Sequence, residues 1–510
     1  MLRLDIDRIV LFLPSFLVAL FSIFPLTDTD IWWHLACARE WVSTWTPVRS
    51  SVVNVHEYFQ QVVGFVYGLG GAPFLVAFKA ILWGIVFALF LSRNGCDKHH
   101  CELSKNVIAS PTGAWQSLVA VVLLFIFRYH FEMRPVLFSL LFLGIYWNVF
   151  PWLFHPCRCG RGEIVRKVAV SALILVVQWL WCKCQGLYIL GPIFATLVLC
   201  TSLLESKKQR GLGVKFVASQ VAFVLFLWLM PFLHREGLSL FLYPFGLLDR
   251  LLGLSPSAAI FASQIAENRS PVTLLKAGEN IVESLLMIVC CVAGFCYGIY
   301  AIYKLLHAAE KGGAIHGKIA LIIAALLAMV AERNFVLFLP LFLGAVSENR
   351  FLDGTFESVR CRIGAKYATL FVVAFIFGLW ARSLSAYDYS MVSYQRVPVD
   401  AAEWMRQNPH AGRLFNDDRA GGYLAFVNPA DSIYIDGRFI LKTADFFERY
   451  LEYAKDPAQF IVDADSLNID RALFPLRYYA RWDALLQALE TAPRWHLAYR
   501  DDYFAVFDKE

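Results

Sequence analysis

Residues 9–26 read IVLFLPSFLVALFSIFPL, without a charge, and residues 28–35 follow as DTDIWWHL. The first segment is long enough to cross a bilayer, whose hydrocarbon core asks for roughly 20 apolar residues. The second sets two carboxylates, Asp28 and Asp30, the tryptophans Trp32 and Trp33, and His34 at the hydrocarbon boundary. Tryptophans alone would serve as interfacial anchors, but acids in such a place are costly and mark a site by default. The rest of the chain decides between the two readings.

Composition settles the class. Apolar residues make up 58% of the 510 positions and charged residues only 17%, and the mean hydropathy is +0.54. A soluble chain of this length would not show such values. The reading is a mainly α, polytopic helical membrane protein of about eleven transmembrane helices, residues 1–385, followed by a small α/β soluble domain, residues 386–510. The apolar runs are 9–26, 73–92, 113–129, 135–154, 167–184, 186–204, 214–233, 281–303, 318–331, 335–346 and 367–381. Glu332-Arg333-Asn334 interrupts the stretch 318–346, which is longer than one crossing needs and therefore reads as a helical hairpin. No nucleic-acid partner is expected of a chain of this class.

Lys and Arg concentrate in 93–112, 155–167, 205–215, 304–318 and 347–366, which are alternate loops on the side of Arg3 and Arg8. By the positive-inside rule the N-terminus is cytoplasmic and the C-terminal domain lies outside. The first run lacks a small-residue cleavage pattern and reads as an uncleaved span. This topology gathers the other charges at span ends on the outer face: Asp28, Asp30, His34, Arg128, His130, Glu132, Arg134, Lys183, His234, Arg235, Glu267, Arg269, Glu332 and Arg333. Carboxylates mixed with Arg and Lys at an outer membrane boundary suit a reaction on a lipid-borne anion.

Within the loop 27–60, Leu35, Ala38, Trp41, Val42 and Trp45 recur at helical spacing, which predicts an amphipathic helix lying in the headgroups. Leu238 to Leu254 predicts a second interfacial helix. In the tail, Val399 to Asn408 reads as a helix with Asp400 as its cap, and Arg413 to Phe415 and Ser432 to Ile435 as strands. Phe446 to Tyr453 and Trp482 to Leu489 read as helices and Tyr503 to Phe507 as a closing strand. Gly421-Gly422 and Asp436-Gly437 read as turns. Cys96, Cys101, His99 and His100, with Cys157 and Cys159, have a spacing unlike a structural zinc site, so reduced, inert thiols are the better reading.

Asp-x-Asp-x-Trp-Trp-His-Leu after a first span resembles bacterial integral membrane proteins of the GT-C glycosyltransferase type. Further landmarks of that group follow in order: Arg134-Pro135, Trp181-Cys182-Lys183-Cys184-Gln185-Gly186, Leu242-Tyr243-Pro244-Phe245-Gly246 and Glu332-Arg333-Asn334. The tail adds Gly412 to Asp417, Gly421-Gly422-Tyr423-Leu424 and Ile435-Asp436-Gly437-Arg438. Lys183 and Gln185 depart from the group's pattern, which prefers Asn and His. The resemblance implies transfer of a sugar from a polyprenyl phosphate to an acceptor hydroxyl of a glycan, lipid or protein, with inversion, at the outer face of a bacterial inner membrane.

On that reading Asp28, Asp30 and His34 are the catalytic candidates, because an attacking hydroxyl needs a base. Arg134, Lys183, Arg333 and Arg269 are the candidates for the donor phosphate, for which a guanidinium is geometrically suited. Trp33, Glu332, His234 and Arg235 would support them, and Asp28 with Asp30 would hold a divalent cation, Mg or Mn, if one is used. Two other classes stand beside this one. A transporter or flippase for lipid-linked substrates would line a path with its charges, yet no inverted repeat is evident. A non-catalytic envelope scaffold would leave Asp28 and Asp30 without a task.

Overall fold

The computed structural model describes residues 6–49, 52–92, 111–155, 161–207, 214–252, 254–307, 315–348, 359–477 and 480–510. Among these, six helices are long and apolar enough to cross a membrane: Glu57–Leu91, Val136–Phe154, Gly162–Cys182, Gly186–Leu204, Val214–Leu233 and Ile281–His307. The other apolar runs also fold as helices, Ile6–Phe21, Pro111–Ile126, Ile315–Val330, Phe335–Glu348 and Val359–Ser385, with shorter described apolar stretches. Glu332–Asn334 forms a 3₁₀ turn joining Ile315–Val330 to Phe335–Glu348, and the two helices pack against each other. The chain is a mainly helical membrane protein with a small C-terminal sheet. The run 73–92 is the second half of a 35-residue helix that breaks at Gly70-Gly71, where Gly71 has φ +70°, a conformation that favours glycine. The histidines and cysteines weighed for zinc lie outside the described residues.

The C-terminal region carries four strands: β1 Arg413–Asn416, β2 Ile469–Pro475, β3 Trp495–Arg500 and β4 Phe504–Lys509. Their order is β1-β2-β4-β3, with β1 parallel to β2 and both β2 and β3 antiparallel to β4. A parallel neighbour requires a crossover, and the chain makes it through the helices Asp418–Val427, Ala444–Glu452 and Pro457–Ser466. Three expectations need correction here. Ser432 to Ile435 is no strand but an extended segment with one isolated bridge from Ile433 to Thr44. Gly421-Gly422 lies inside a helix, not a turn. Asp400 stands in the first turn of Val399–Gln407, whose cap position is Pro398.

The helix predicted for the headgroups is buried instead. It spans Asp30–Arg39, and every residue from Ile31 to Cys37 is buried. On one side it meets the membrane helix at Gly64, where a Cβ would come within 2.7 Å of Ala38 Cβ. On the other it meets the helix Asp418–Val427 at Gly422, where a Cβ would lie 3.0 Å from Trp33 N and 3.1 Å from Thr29 O. Trp32 sits edge-on to Tyr423, with ring centroids 4.8 Å apart. Helical periodicity marks an apolar face but not what covers it, and here the C-terminal domain covers it.

The following segment is stitched to the same domain. Trp45 Nε1 donates to Leu414 O at 2.8 Å, Thr46 Oγ1 donates to Tyr434 O at 2.5 Å, and Arg49 N donates to Leu441 O at 2.8 Å. Buried Lys442 donates to Thr44 Oγ1 at 2.7 Å and Thr46 Oγ1 at 2.6 Å. Trp45 is therefore half-buried against the C-terminal domain, where its indole N–H is bonded to Leu414 O.

A side chain at Gly422 must separate the two helices. Gly422→Val should lower stability by about 1–3 kcal/mol, the usual cost of overpacking. Gly68→Ala, which meets nothing within 4 Å, should be neutral or stabilise by up to about 1 kcal/mol, because alanine suits a helix better. Thermal unfolding of the two variants in detergent checks this, and equal Tm shifts would contradict the clamp.

Candidate active site

Part of the charge set gathers at one place: Asp28, Glu132 and Glu267 converge on one arginine. Their centre is Arg134, at the entry to the helix Val136–Phe154. Its Nε lies 3.0 Å from Asp28 Oδ2 and 2.8 Å from Glu132 Oε2. Its Nη2 donates to Asp28 Oδ1 at 3.0 Å and to Glu267 Oε1 at 2.6 Å, and its Nη1 to Glu267 Oε2 at 2.6 Å. Burial raises the Glu267 carboxyl, but Arg134, with Arg333 and His130, outweighs it and holds the group at about 2.

Both oxygens of Asp28 are thus engaged by one guanidinium. That arrangement does not fit the expectation that Asp28 and Asp30 would share a divalent cation. It also corrects the expectation for Arg134, whose donors are spent on three carboxylates and do not face a phosphate.

Asp30 is different. It opens the site helix, and its carboxylate forms no salt bridge among the described residues. It lines a cavity of about 230 Å³ together with Trp33, His56, Tyr243, Asn268, Arg333 and Arg438. Burial pushes the Asp30 carboxyl up to about 6, with Glu267 and Asp436 adding to the rise and Arg134 and the Trp33 indole N–H opposing it. A Cβ on Gly437 would overlap Asp30 Oδ1, so the wall opposite the carboxylate is backbone. The turn Asp436-Gly437 is therefore part of the site.

Arg333 enters the cavity from the 3₁₀ turn Glu332–Asn334. It is exposed to the cavity, and among the described residues it makes no hydrogen bond or salt bridge. Glu332 turns away from it toward His130, 3.8 Å from Nε2, where Glu283 also lies at 3.7 Å.

The other candidates do not line the cavity. Lys183 is buried between Glu57, at 3.0 Å, and Glu236, at 2.7 Å. Arg269 pairs with Glu279 at 2.5 Å, and Arg235 is exposed elsewhere. His234 stacks on Trp179 and bonds to its carbonyl at 3.0 Å. His34 packs edge-on to Phe59 and His56. Burial, then His56 and Arg438, lower its pKa well below the usual value, so it is a neutral packing residue.

Arg438, which reading the sequence as a turn missed, is buried in the wall. It forks onto Asp436, with Nη2 at 2.6 Å from Oδ2, and donates to Val42 O at 3.0 Å. The available signal was the pairing of an acid with an arginine two positions later.

No family model matches this chain. No curated protein matches it either. Among solved structures, it is similar to the crystal structure of the oligosaccharyltransferase of Archaeoglobus fulgidus, tethered through a disulfide bond to an acceptor peptide containing the NVT sequon. The TM-score is 0.49 and the identity 11%, over 93% of this chain and 69% of the other.

The two aspartates should behave oppositely on neutralisation. Asp28→Asn loosens the Arg134 cluster and should cost about 1–3 kcal/mol, the range for a buried group losing its partner. A carboxyl raised to about 6 when folded, above its unfolded value of 3.8, favours folding in its protonated form. Its contribution is present below the unfolded value and lost as pH rises through about 6. At pH 8, Asp30→Asn should therefore leave stability unchanged or raised. Thermal unfolding at that pH checks both signs.

Proposed function

We propose that this protein is a membrane glycosyltransferase that moves one sugar unit from a polyprenyl-phosphate donor to an acceptor hydroxyl. The observation that supports this most is the meeting, in one cavity at the end of the apolar helices, of a carboxylate and a guanidinium that form no salt bridge among the described residues. Asp30 is the base and Arg333 receives the anion. The acceptor O–H gives its proton to Asp30 as its oxygen bonds to the anomeric carbon. The bond from that carbon to the phosphate oxygen breaks with its electron pair, and the negative charge collects beside Arg333. One displacement inverts the anomeric centre.

A general base with a pKa near the working pH is the favourable case for such proton transfer, and Asp30 at about 6 meets it. The cavity, about 230 Å³, is below the roughly 300–1,000 Å³ typical of drug-sized ligands. That size suits a single ring and its leaving group more than a preassembled oligosaccharide. Its aromatic lining, Trp33, Trp41, Tyr243, Phe261 and Phe439, suits the apolar faces of a sugar. The C-terminal domain forms the wall on which the acceptor is held. In this reading the site faces the extracytoplasmic side of a bacterial inner membrane, with the N-terminus cytoplasmic.

In vitro transfer from a polyprenyl-phosphate sugar tests the reading. Asp30→Asn should lower kcat/KM by about 10²–10⁴-fold. In the wild type, kcat/KM should rise as pH increases through about 6 and then level, because only the ionised carboxylate accepts the proton. Arg333→Lys should retain more activity than Arg333→Ala without equalling the wild type, since a point charge only partly replaces a fork. Normal transfer by Asp30→Asn would overturn the assignment of the base, and normal transfer by Arg333→Ala that of the anion site.

A further inference from the structure

Three carboxylates from three separate segments converge on one side chain. Asp28 follows the first apolar helix, Glu132 precedes the helix Val136–Phe154, and Glu267 sits in the 3₁₀ turn Ala266–Asn268. Oxygen atoms of all three lie within 3.0 Å of a nitrogen of Arg134. Convergent carboxylate oxygens are the ligand set of hard divalent ions such as Mg²⁺ and Mn²⁺. Here a guanidinium stands at the point of convergence. Lys79 supplies a second basic group from the adjoining membrane helix. It is buried, donates to Phe24 O at 3.2 Å, and borders one small enclosed space with Asp28 and Glu132.

We propose that Arg134 is the resident cation of this site, in the place a divalent ion would otherwise take, and that turnover needs no metal. Among the described residues Arg134 alone pairs with Asp28, Glu132 and Glu267, while Lys79 donates to the Phe24 carbonyl and forms no ion pair with them. A guanidinium stays protonated at any working pH and cannot be chelated away. Its planar fork also imposes directions that a spherical ion does not. The pair of bonds to Asp28 holds that carboxylate turned from the cavity and leaves Asp30 as the ionisable acid facing it. Arg134 is thus a positioning residue. The statement about turnover rests on the glycosyltransferase reading, whereas the statement about the cation does not.

Mn²⁺ binding to the purified full-length protein, followed by electron paramagnetic resonance, tests the cation directly. The quantity of interest is the Mn²⁺ uptake that Asp28→Asn abolishes. It should be nil in the wild type and one ion per chain in Arg134→Ala, whose Tm Mn²⁺ should then raise. Uptake by the wild type that Asp28→Asn removes would overturn the proposal, as would a folded Arg134→Ala that takes up none. If Arg134→Ala fails to fold, the wild-type comparison still decides. For turnover, wild-type transfer should survive exhaustive EDTA treatment. A loss restored by Mn²⁺ or Mg²⁺ would overturn metal-free transfer, and no transfer under any condition would fault the glycosyltransferase reading while leaving the Mn²⁺ result standing.

Discussion

A carboxylate at the hydrocarbon boundary must be paired or kept in contact with a polar cavity, because the low-dielectric surroundings penalise it otherwise. Asp28 and Asp30, two residues apart, take the two different routes. Asp28 is gripped by Arg134, which also gathers Glu132 and Glu267 and so ties three distant segments into one floor. Asp30 lies one helical step on, at the N-terminus of a buried helix, and is left to the cavity. The helix start favours a negative charge through its exposed N–H groups, while burial and the neighbouring acids oppose it. The balance leaves the Asp30 carboxyl raised to about 6.

The membrane helices alone do not build this site. Gly437 and Arg438 come from the C-terminal domain and line the cavity. Arg438 cannot serve the substrate as a free cation, because Asp436, Val42 and the Trp41 ring, 5.0 Å away, already occupy it. It acts as a bolt between the domain and the segment that follows the site helix. Lys442 acts likewise through Thr44 and Thr46. Buried cations satisfied by carbonyls and hydroxyls across an interface give it one geometry, since any slip would leave them unpaired.

The legible part of the fold was the part that hydrophobic periodicity controls. Every long apolar run became a helix, and the Glu332-Arg333-Asn334 interruption became a turn. Asp30 and Arg333 could be singled out because charge between apolar runs needs a reason. The sequence could not say which charges had partners. Arg134, Lys183 and Arg269 look as available as Arg333 until Glu267, Glu236 and Glu279 are seen beside them, and these lie 133, 53 and 10 positions from their partners. The site helix was misread for a related reason: a face rich in tryptophan suits headgroups and a protein interface equally well. Gly421-Gly422 read as a turn because local propensity sees a glycine's flexibility and not the backbone pressed against it, that of Ile435 and of Trp33.

Those glycines have a consequence for how the site is kept in register. Asp30 has the backbone of Gly437 against its carboxylate, and the first turn of its helix has Gly422 against its backbone. The Gly422 contact is backbone against backbone, whereas the Gly437 contact is backbone against the Asp30 side chain itself. The space left to the Asp30 carboxylate is therefore bounded by the C-terminal domain, while Arg333 is carried by the turn between the helices Ile315–Val330 and Phe335–Glu348. In the proposed glycosyltransferase reading, the distance from Asp30 to Arg333 depends on how the domain is docked. On that reading, the hydrogen bonds from Trp45 to Arg49 and through Lys442 matter to the site because they hold one docking geometry across the interface.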